Sequence, residues 1–180
     1  MDLNCFTHNG VTYRWDHLRE TTLKYIRAAD KKNPEVVYTV DVEYSNHCYT
    51  RGIETGEAVD PTLRIALYPE VRVFELRRWE LSHYLPDIIA GMLPQQCFHA
   101  GGTNYLRIEV LDPVHGGNVE YKVIFSMERK RRGVLKMYIV TAHPNDRGKA
   151  MRERHNQPIK FSFILHNTLN GKPIRRPPRR

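Results

Sequence analysis

The sequence has few cysteines, and their arrangement matches no common scaffold. Cys5, Cys48 and Cys97 are odd in number and widely spaced, which argues against a disulfide framework and favours reduced thiols. Each cysteine lies near a histidine, but the spacing departs from that of zinc motifs. Buried thiols are therefore favoured over a zinc site, and neither a metal nor a cofactor is predicted.

Signals for membrane insertion and secretion are also missing. No apolar run approaches the roughly 20 residues that a transmembrane helix needs, and the opening MDLN does not begin a signal peptide. With 180 residues, 41% hydrophobic and 27% charged, the composition is typical of one folded domain. We expect a cytoplasmic protein without a membrane partner, folded over residues 1–170, with a flexible basic tail over residues 171–180.

Several catalytic motifs are absent as well. The sequence contains no glycine-rich phosphate loop, no GxGxxG, no HExxH and no GxSxG. An enzyme with this sequence would belong to a type that needs only a few side chains on a scaffold.

Positive charge, in contrast, is abundant and unevenly distributed. The net charge is +8. Residues 1–128 contain 13 Lys and Arg against 18 Asp and Glu, a net of −5, whereas residues 129–180 contain 15 against 2, a net of +13. Such a basic segment predicts a polyanionic partner, with nucleic acid favoured, and a solvated basic tail without a specific partner is the alternative.

The basic segment begins at the clearest secondary-structure signal. Residues 121–127 and 134–142 are rich in β-branched and aromatic residues, and they flank the tip ERKRRG, in which Gly133 suits a turn. This pattern predicts a β-hairpin. Four consecutive cations repel each other unless an anion or solvent screens them, so the tip is expected to contact phosphates.

Further elements follow from local patterns. Hairpin strands are predicted around Asn9-Gly10, a helix over residues 17–32, and an alternating strand over residues 36–44. A strand pair is predicted over residues 63–67 and 71–76, a helix over 77–92 that kinks or restarts at Pro86, and strands over 105–111 and 159–169. The predicted fold class is α+β, with two helices packed on a largely antiparallel sheet and a basic C-terminal tail.

Side chains suited to metal-independent RNA cleavage occur at strand ends. RNA supplies its own nucleophile, so a protein needs only a proton acceptor, cations and a group that orients the phosphate. His47, Arg51 and Thr141 are the predicted catalytic residues. For His47 a hydrogen-bonded histidine at a strand end is the alternative, for Arg51 a solvated cation, and for Thr141 an ordinary strand residue. The predicted nucleic-acid-binding residues are Arg129, Lys130, Arg131, Arg132, Arg147, Lys149, Arg175 and Arg176.

Three features of the sequence resemble known proteins: the order of strands and helices, the hairpin that ends in MYIVTAHP, and the closing segment PIKFSFILHNTLNGKPI. These segments resemble a group of small phage and prophage proteins that often have stress or stationary-phase names. More distantly they resemble the toxin-type ribonucleases of the barnase, EndoU, colicin and RelE grouping. The resemblance implies an antiparallel fold and action on RNA, but VTAHP differs from the ending that such ribonucleases carry.

These observations leave three hypotheses open. The first is a phage-associated, toxin-like endoribonuclease that needs no metal. The second is a non-enzymatic phage accessory protein that binds nucleic acid or a host protein, for example an inhibitor of a host defence system, and the third is a structural phage protein. Nucleic acid, with RNA favoured, is the predicted partner, and a cognate antitoxin or a host protein is a further candidate.

Overall fold

The structure is a computed structural model that describes residues 4–31, 33–67, 69–100, 102–145 and 158–174. Within these residues the chain forms twelve β-strands and three α-helices. The strands are β1 (Cys5–His8), β2 (Val11–Arg14), β3 (Thr21–Arg27), β4 (Val36–Tyr44), β5 (Thr50–Arg51), β6 (Arg64–Leu67), β7 (Glu70–Phe74), β8 (Gln96–Ala100), β9 (Thr103–Leu111), β10 (Asn118–Arg131), β11 (Val134–Pro144) and β12 (Pro158–Lys160). The helices are α1 (Leu76–Ser82), α2 (Leu85–Ala90) and α3 (Phe161–Leu169).

A seven-stranded sheet forms the centre of the fold, in the order β12-β8-β9-β10-β11-β4-β3. All of its pairings are antiparallel except that of β11 with β4, which is parallel. Strands β5, β7 and β6 form a separate antiparallel sheet, and β1 pairs with β2. The predicted α+β class with a largely antiparallel sheet is therefore confirmed in its coarse features.

The sheet curls around one hydrophobic core. Along β10 the alternate residues Tyr121, Val123 and Phe125 are fully buried. The same is true of Val40 and Val42 on β4 and of Leu135, Met137 and Ile139 on β11. Helices α2 and α3 pack against this face. The ring of Tyr25 on edge strand β3 lies 5.3 Å from that of Phe161, which directly follows edge strand β12, so the two edges of the sheet approach each other.

The helix predicted over residues 17–32 is wrong. A short 3-10 turn, Asp16–Leu18, is followed by strand β3, which pairs with β4 along its whole length. Tyr25 points into the core, whereas Thr22, Lys24 and Ile26 are exposed. This alternation and the β-branched threonines at its start favour a strand, and pairing with β4 outweighs the local helical preference.

The strand predicted over residues 159–169 is also wrong. Only Pro158–Lys160 is extended, and residues 161–169 form helix α3. Phe161, Ile164 and Leu165 are fully buried whereas Phe163 is 50% exposed. That spacing is helical, and the strand prediction failed because positions 161 and 165 share a face in both a helix and a strand.

The remaining predictions agree better with the structure. Both hairpins form, with Asn9 and Gly10 at positive φ in the first turn and Gly133 at a φ of 76° in the second. The helix predicted over residues 77–92 is divided into α1 and α2, and Pro86 occupies the first turn of α2. Of the tail predicted over residues 171–180, residues 175–180 lie outside the described residues. Within the described part, the backbone N–H groups of Gly171 and Lys172 donate to the carbonyls of Thr168 and Asn167 at the end of α3.

Candidate functional site

The hairpin tip is an exposed basic surface formed by Arg129, Lys130, Arg131 and Arg132, all of which are solvent-exposed. Strand β9 pairs with β10 only as far as Phe125, whereas β4 supports β11 from Val134 onward. Within the described chain, the last six residues of β10 therefore have no neighbouring strand on their β9 side. The tip is held on one side and open on the other.

Lys130 is fixed to the sheet surface by two carboxylates. Its Nζ lies 2.9 Å from Asp41 Oδ2 and 3.6 Å from Glu20 Oε1. The hydrogen bond from Lys130 holds the pKa of Asp41 below its usual value, and a hydrogen bond from Thr22 Oγ1 adds to this effect. The same contact raises the pKa of Lys130. Asp41 therefore neutralises part of the tip charge.

The three arginines of the tip remain available to a partner. Within the described residues, Arg129, Arg131 and Arg132 form no ion pair, and Arg131 influences Asp41 only through its longer-range field. Planar guanidinium groups match phosphate oxygens well, and exposure leaves their donors accessible. Four other predicted nucleic-acid contacts, Arg147, Lys149, Arg175 and Arg176, lie outside the described residues.

His47 lies in a short 3-10 turn, Asn46–Cys48, directly after β4. Its backbone N–H donates to the Ser45 hydroxyl, which caps the turn at 3.0 Å. The imidazole Nε2 is 3.6 Å from Glu70 Oε1, and the side chain is 35% exposed. Partial burial lowers the pKa of His47, the positive charge of Arg72 lowers it further, and Glu70 opposes both. The imidazole is therefore predominantly neutral at pH 7.

Thr141 contacts the backbone of His47 rather than its ring. The Thr141 hydroxyl donates to the His47 carbonyl oxygen at 3.4 Å. Arg78 donates to the same carbonyl at 3.2 Å and to the Thr50 carbonyl at 2.9 Å. These contacts connect β11 and α1 to the turn after β4, and they direct the Thr141 hydroxyl proton to a backbone oxygen.

Arg51 is occupied by an acidic neighbour. Its guanidinium donates to both carboxylate oxygens of Glu57, at 2.8 and 2.5 Å, and to the Gly52 carbonyl. The hydrogen bonds from Arg51 lower the pKa of Glu57 to about 2, and the pKa of Arg51 is raised in return. In this arrangement the guanidinium donors of Arg51 are used by the Glu57 carboxylate and are not available to a phosphate.

The structure therefore brings the predicted site residues together only in part. Thr141 lies against the backbone of His47, and Arg51 follows a few residues later but faces Glu57. Thr141 lies seven positions after Val134 at the tip, which corresponds to roughly 23 Å along β11. The hairpin tip and the His47 turn are two separate surfaces.

Sequence reasoning missed a buried charge network behind His47. The Arg72 side chain is only 7% exposed and donates from Nε to the Thr50 hydroxyl at 2.8 Å and from Nη1 to Glu70 at 2.9 Å. Arg78 forms an ion pair with Glu75, again at 2.9 Å. Acid and base alternate here at close spacing in the sequence, which is the signal that could have revealed these pairs.

Two of the three cysteines lie in the hydrophobic core. Within the described residues, no three His, Cys, Asp or Glu side chains lie close enough together to hold a metal ion. Cys48 and Cys97 are fully buried, and burial raises the pKa of each thiol to about 12. These two side chains are therefore protonated and apolar in character at neutral pH, as predicted for buried thiols, whereas Cys5 is only partly buried.

Together the curled sheet and its basic hairpin define an α+β protein with an exposed cationic surface. The chain belongs to the YjaZ family, because the model of that family matches residues 5–169. No curated protein and no solved structure matches the chain. Among the described residues, no helix is both long enough and apolar enough to cross a membrane.

Proposed function

We propose that this protein binds nucleic acid, RNA in preference, through the tip of the β10–β11 hairpin. The observation that carries the proposal is the exposure of Arg129, Arg131 and Arg132 without an ion pair among the described residues. Lys130 anchors the same segment to Asp41. The pairing of β10 with β11 and the contact of Lys130 with Asp41 hold the backbone of the tip, so this segment needs little ordering when its arginines contact phosphates, which favours binding.

Binding without cleavage is the function that the geometry supports best. The Thr141 hydroxyl donates to a backbone carbonyl and Arg51 faces Glu57, so neither is free to orient a phosphate. The hairpin tip also lies roughly 23 Å from Thr141. An RNA phosphate held by the tip would therefore lie far from the His47 imidazole.

Endoribonuclease activity at His47 is the second candidate. It is favoured by an imidazole that is partly exposed, neutral at pH 7 and adjacent to a buried arginine. A neutral imidazole can accept the proton of a ribose hydroxyl, and a nearby cation can stabilise the charged transition state.

The proposal extends to a phage-associated role, with an antitoxin or a host protein as a further partner. Gene neighbourhood and copurification would test this role.

The binding proposal is tested with the triple variant R129Q/R131Q/R132Q. Fluorescence anisotropy with a labelled single-stranded RNA should show a rise in Kd of more than about tenfold, because three charged contacts are lost. The control variant K31Q/R64Q/K172Q removes the same charge from exposed positions elsewhere and should change Kd by less than about threefold. Equal losses in both variants would mean that net charge, rather than the tip, determines binding.

Cleavage is tested separately on the wild-type protein and on His47→Ala, with the RNA resolved on a denaturing gel. We expect both proteins to leave the RNA intact. Cleavage by the wild-type protein that His47→Ala abolishes, while Thr141→Val retains it, would establish the second candidate. Thermal unfolding of each variant shows whether it is folded.

A further inference from the structure

A groove of about 350 Å³ lies where the two edges of the curled sheet approach each other. Ile26 and Arg27 at the end of β3 form one side, and Lys160 and Ser162 at the junction of β12 and α3 form the other. The segment that follows α2, with Leu93, completes the groove. This volume is at the lower end of the range for small-molecule sites in proteins.

Hydrogen bonds hold the walls of the groove in place. The Tyr25 hydroxyl donates to the Ile89 carbonyl at 2.6 Å and thereby attaches β3 to α2. The Phe161 backbone N–H donates to the Gln95 carbonyl at 3.0 Å and attaches the start of α3 to the segment after α2. The groove therefore needs no rearrangement of these elements before a ligand enters.

The groove carries two cations that no described carboxylate neutralises. Arg27 donates from Nη2 to the Pro34 carbonyl at 3.3 Å, but its Nε is shielded from solvent and has no hydrogen-bond partner among the described residues. Lys160 is exposed and likewise forms no ion pair within the described chain. No described carboxylate compensates the positive charge of Arg27 beside the groove, so an anion bound there would stabilise it by charge rather than by contact with the shielded Nε.

Apolar surface lies beside these cations. Ile26 is 55% exposed, although it occupies a strand beside the core, and Leu93 and Pro94 line the groove next to it. Burial of this surface by an apolar group would be favourable at roughly 25 cal/mol per Å². Positive charge and apolar surface together predict an amphiphilic anion.

We propose that this groove binds a small organic anion, with a carboxylate or phosphate group at Arg27 and Lys160 and an apolar body against Ile26, Leu93 and Pro94. A peptide strand fits less well, because the groove reaches only Ile26 and Arg27 at the end of β3 and Lys160 at the end of β12, which is too short an edge for strand addition. The ligand site is independent of the hairpin tip and of nucleic-acid binding.

The test uses octanoate and hexyl phosphate as probes for the full-length protein, with acetate and octan-1-ol as controls for the head group and the chain alone. Amide resonances of Ala28 and Ser162 should move on titration with at least one of the two anions. Arg27→Gln and Lys160→Gln should each raise the Kd by about tenfold, since each removes a charge-assisted contact. Lys172→Gln, beyond the other end of α3, should leave the Kd unchanged.

The tighter of the two probes identifies the head group that the groove prefers. Equal affinity for octan-1-ol, or equal shifts from acetate, would overturn the proposal because it requires both parts of the ligand. Absence of binding by both anions would overturn it too. So would a concentration-dependent dimer that Ile26→Asp abolishes, since the groove would then be an interface with a second copy. Thermal unfolding confirms that Arg27→Gln and Lys160→Gln are folded.

Discussion

His17 should make the stability of this protein depend on pH between about 4 and 6.5. Its Nε2 lies 2.7 Å from the Ser82 hydroxyl. That hydroxyl donates its own proton to the Trp79 carbonyl, so the imidazole is the donor to Ser82. The ring also stacks on His83 at 3.9 Å. Burial first, and then the neighbouring His83, lower the pKa of His17 to about 4 from its ordinary value of 6.5, against the opposing charge of Asp16.

The sign of the effect follows from proton uptake. Between these two pKa values the unfolded chain binds a proton at His17 that the folded protein does not, so acidification favours unfolding. If the full pKa shift of His17 applied, the free energy of unfolding would fall by about 2 kcal/mol between pH 7 and pH 5. Because the imidazole is only partly buried, solvent screening reduces this to about 1 kcal/mol.

The measurement is urea unfolding at pH 7 and pH 5 of the wild-type protein and His17→Gln, whose amide can still donate to Ser82. On acidification from pH 7 to pH 5, the free energy of unfolding of the variant should fall by about 1 kcal/mol less than that of the wild-type protein. His47, whose pKa is also lowered by burial, contributes equally to both. An exposed control, His166→Gln, should behave as the wild-type protein does. Identical pH dependence of His17→Gln and wild type would refute the argument.

Three further predictions concern stability, each measured by urea unfolding. Phe161→Ala should cost about 3–5 kcal/mol and Phe163→Ala less than about 1, because only Phe161 is buried; similar costs would contradict helix α3. Asp112→Asn should lower the free energy of unfolding by about 2–4 kcal/mol, since it removes the charge of Asp112 from a largely buried 2.7 Å ion pair with Arg77, and a neutral outcome would mean that the pair contributes nothing. Gly133→Ala should cost about 1 kcal/mol from positive φ alone, because an added Cβ meets no atom within 4 Å; a larger loss would indicate a contact that the geometry does not show.

The sequence predicted those elements whose local signals agree with their tertiary environment. Hairpin β10–β11 combines strong strand propensity with a glycine in the turn. Strand β4 buries the alternate residues Tyr38, Val40 and Val42 as its sequence pattern predicts, although Asp41 between them is buried as well. Pro86 marked the division between α1 and α2 because it lacks an N–H and suits a first helical turn. In these places propensity and packing favour the same structure.

The secondary-structure prediction failed in short segments whose hydrophobic spacing is compatible with both a helix and a strand. Strand β3 follows a capping aspartate and contains leucine and lysine, so its local preference is helical until β4 pairs with it. In α3, strand and helix share the buried positions 161 and 165. Strand β8 was missed because QCFHA is short and has no β-branched residue.

The contacts between side chains were harder to predict from the sequence than the secondary structure. The basic tip was predicted from consecutive charges, whereas the ion pair of Lys130 with Asp41 joins residues that are far apart in sequence. The sequence presents Arg51 as a cation that could contact a phosphate, whereas in the structure it is paired with Glu57. Charge composition predicts a field, but which charges remain free is decided by tertiary contacts.

The salt dependence of RNA binding tests the central proposal most directly. For single-stranded nucleic acid each neutralised phosphate contributes about 0.7 to the slope of log K against log salt. If Arg129, Arg131 and Arg132 each contact a phosphate, R129Q/R131Q/R132Q should bind with a slope smaller by about 2 than that of the wild-type protein. An unchanged slope, or RNA binding by the wild-type protein that does not depend on salt, would contradict the proposal that the hairpin tip binds nucleic acid.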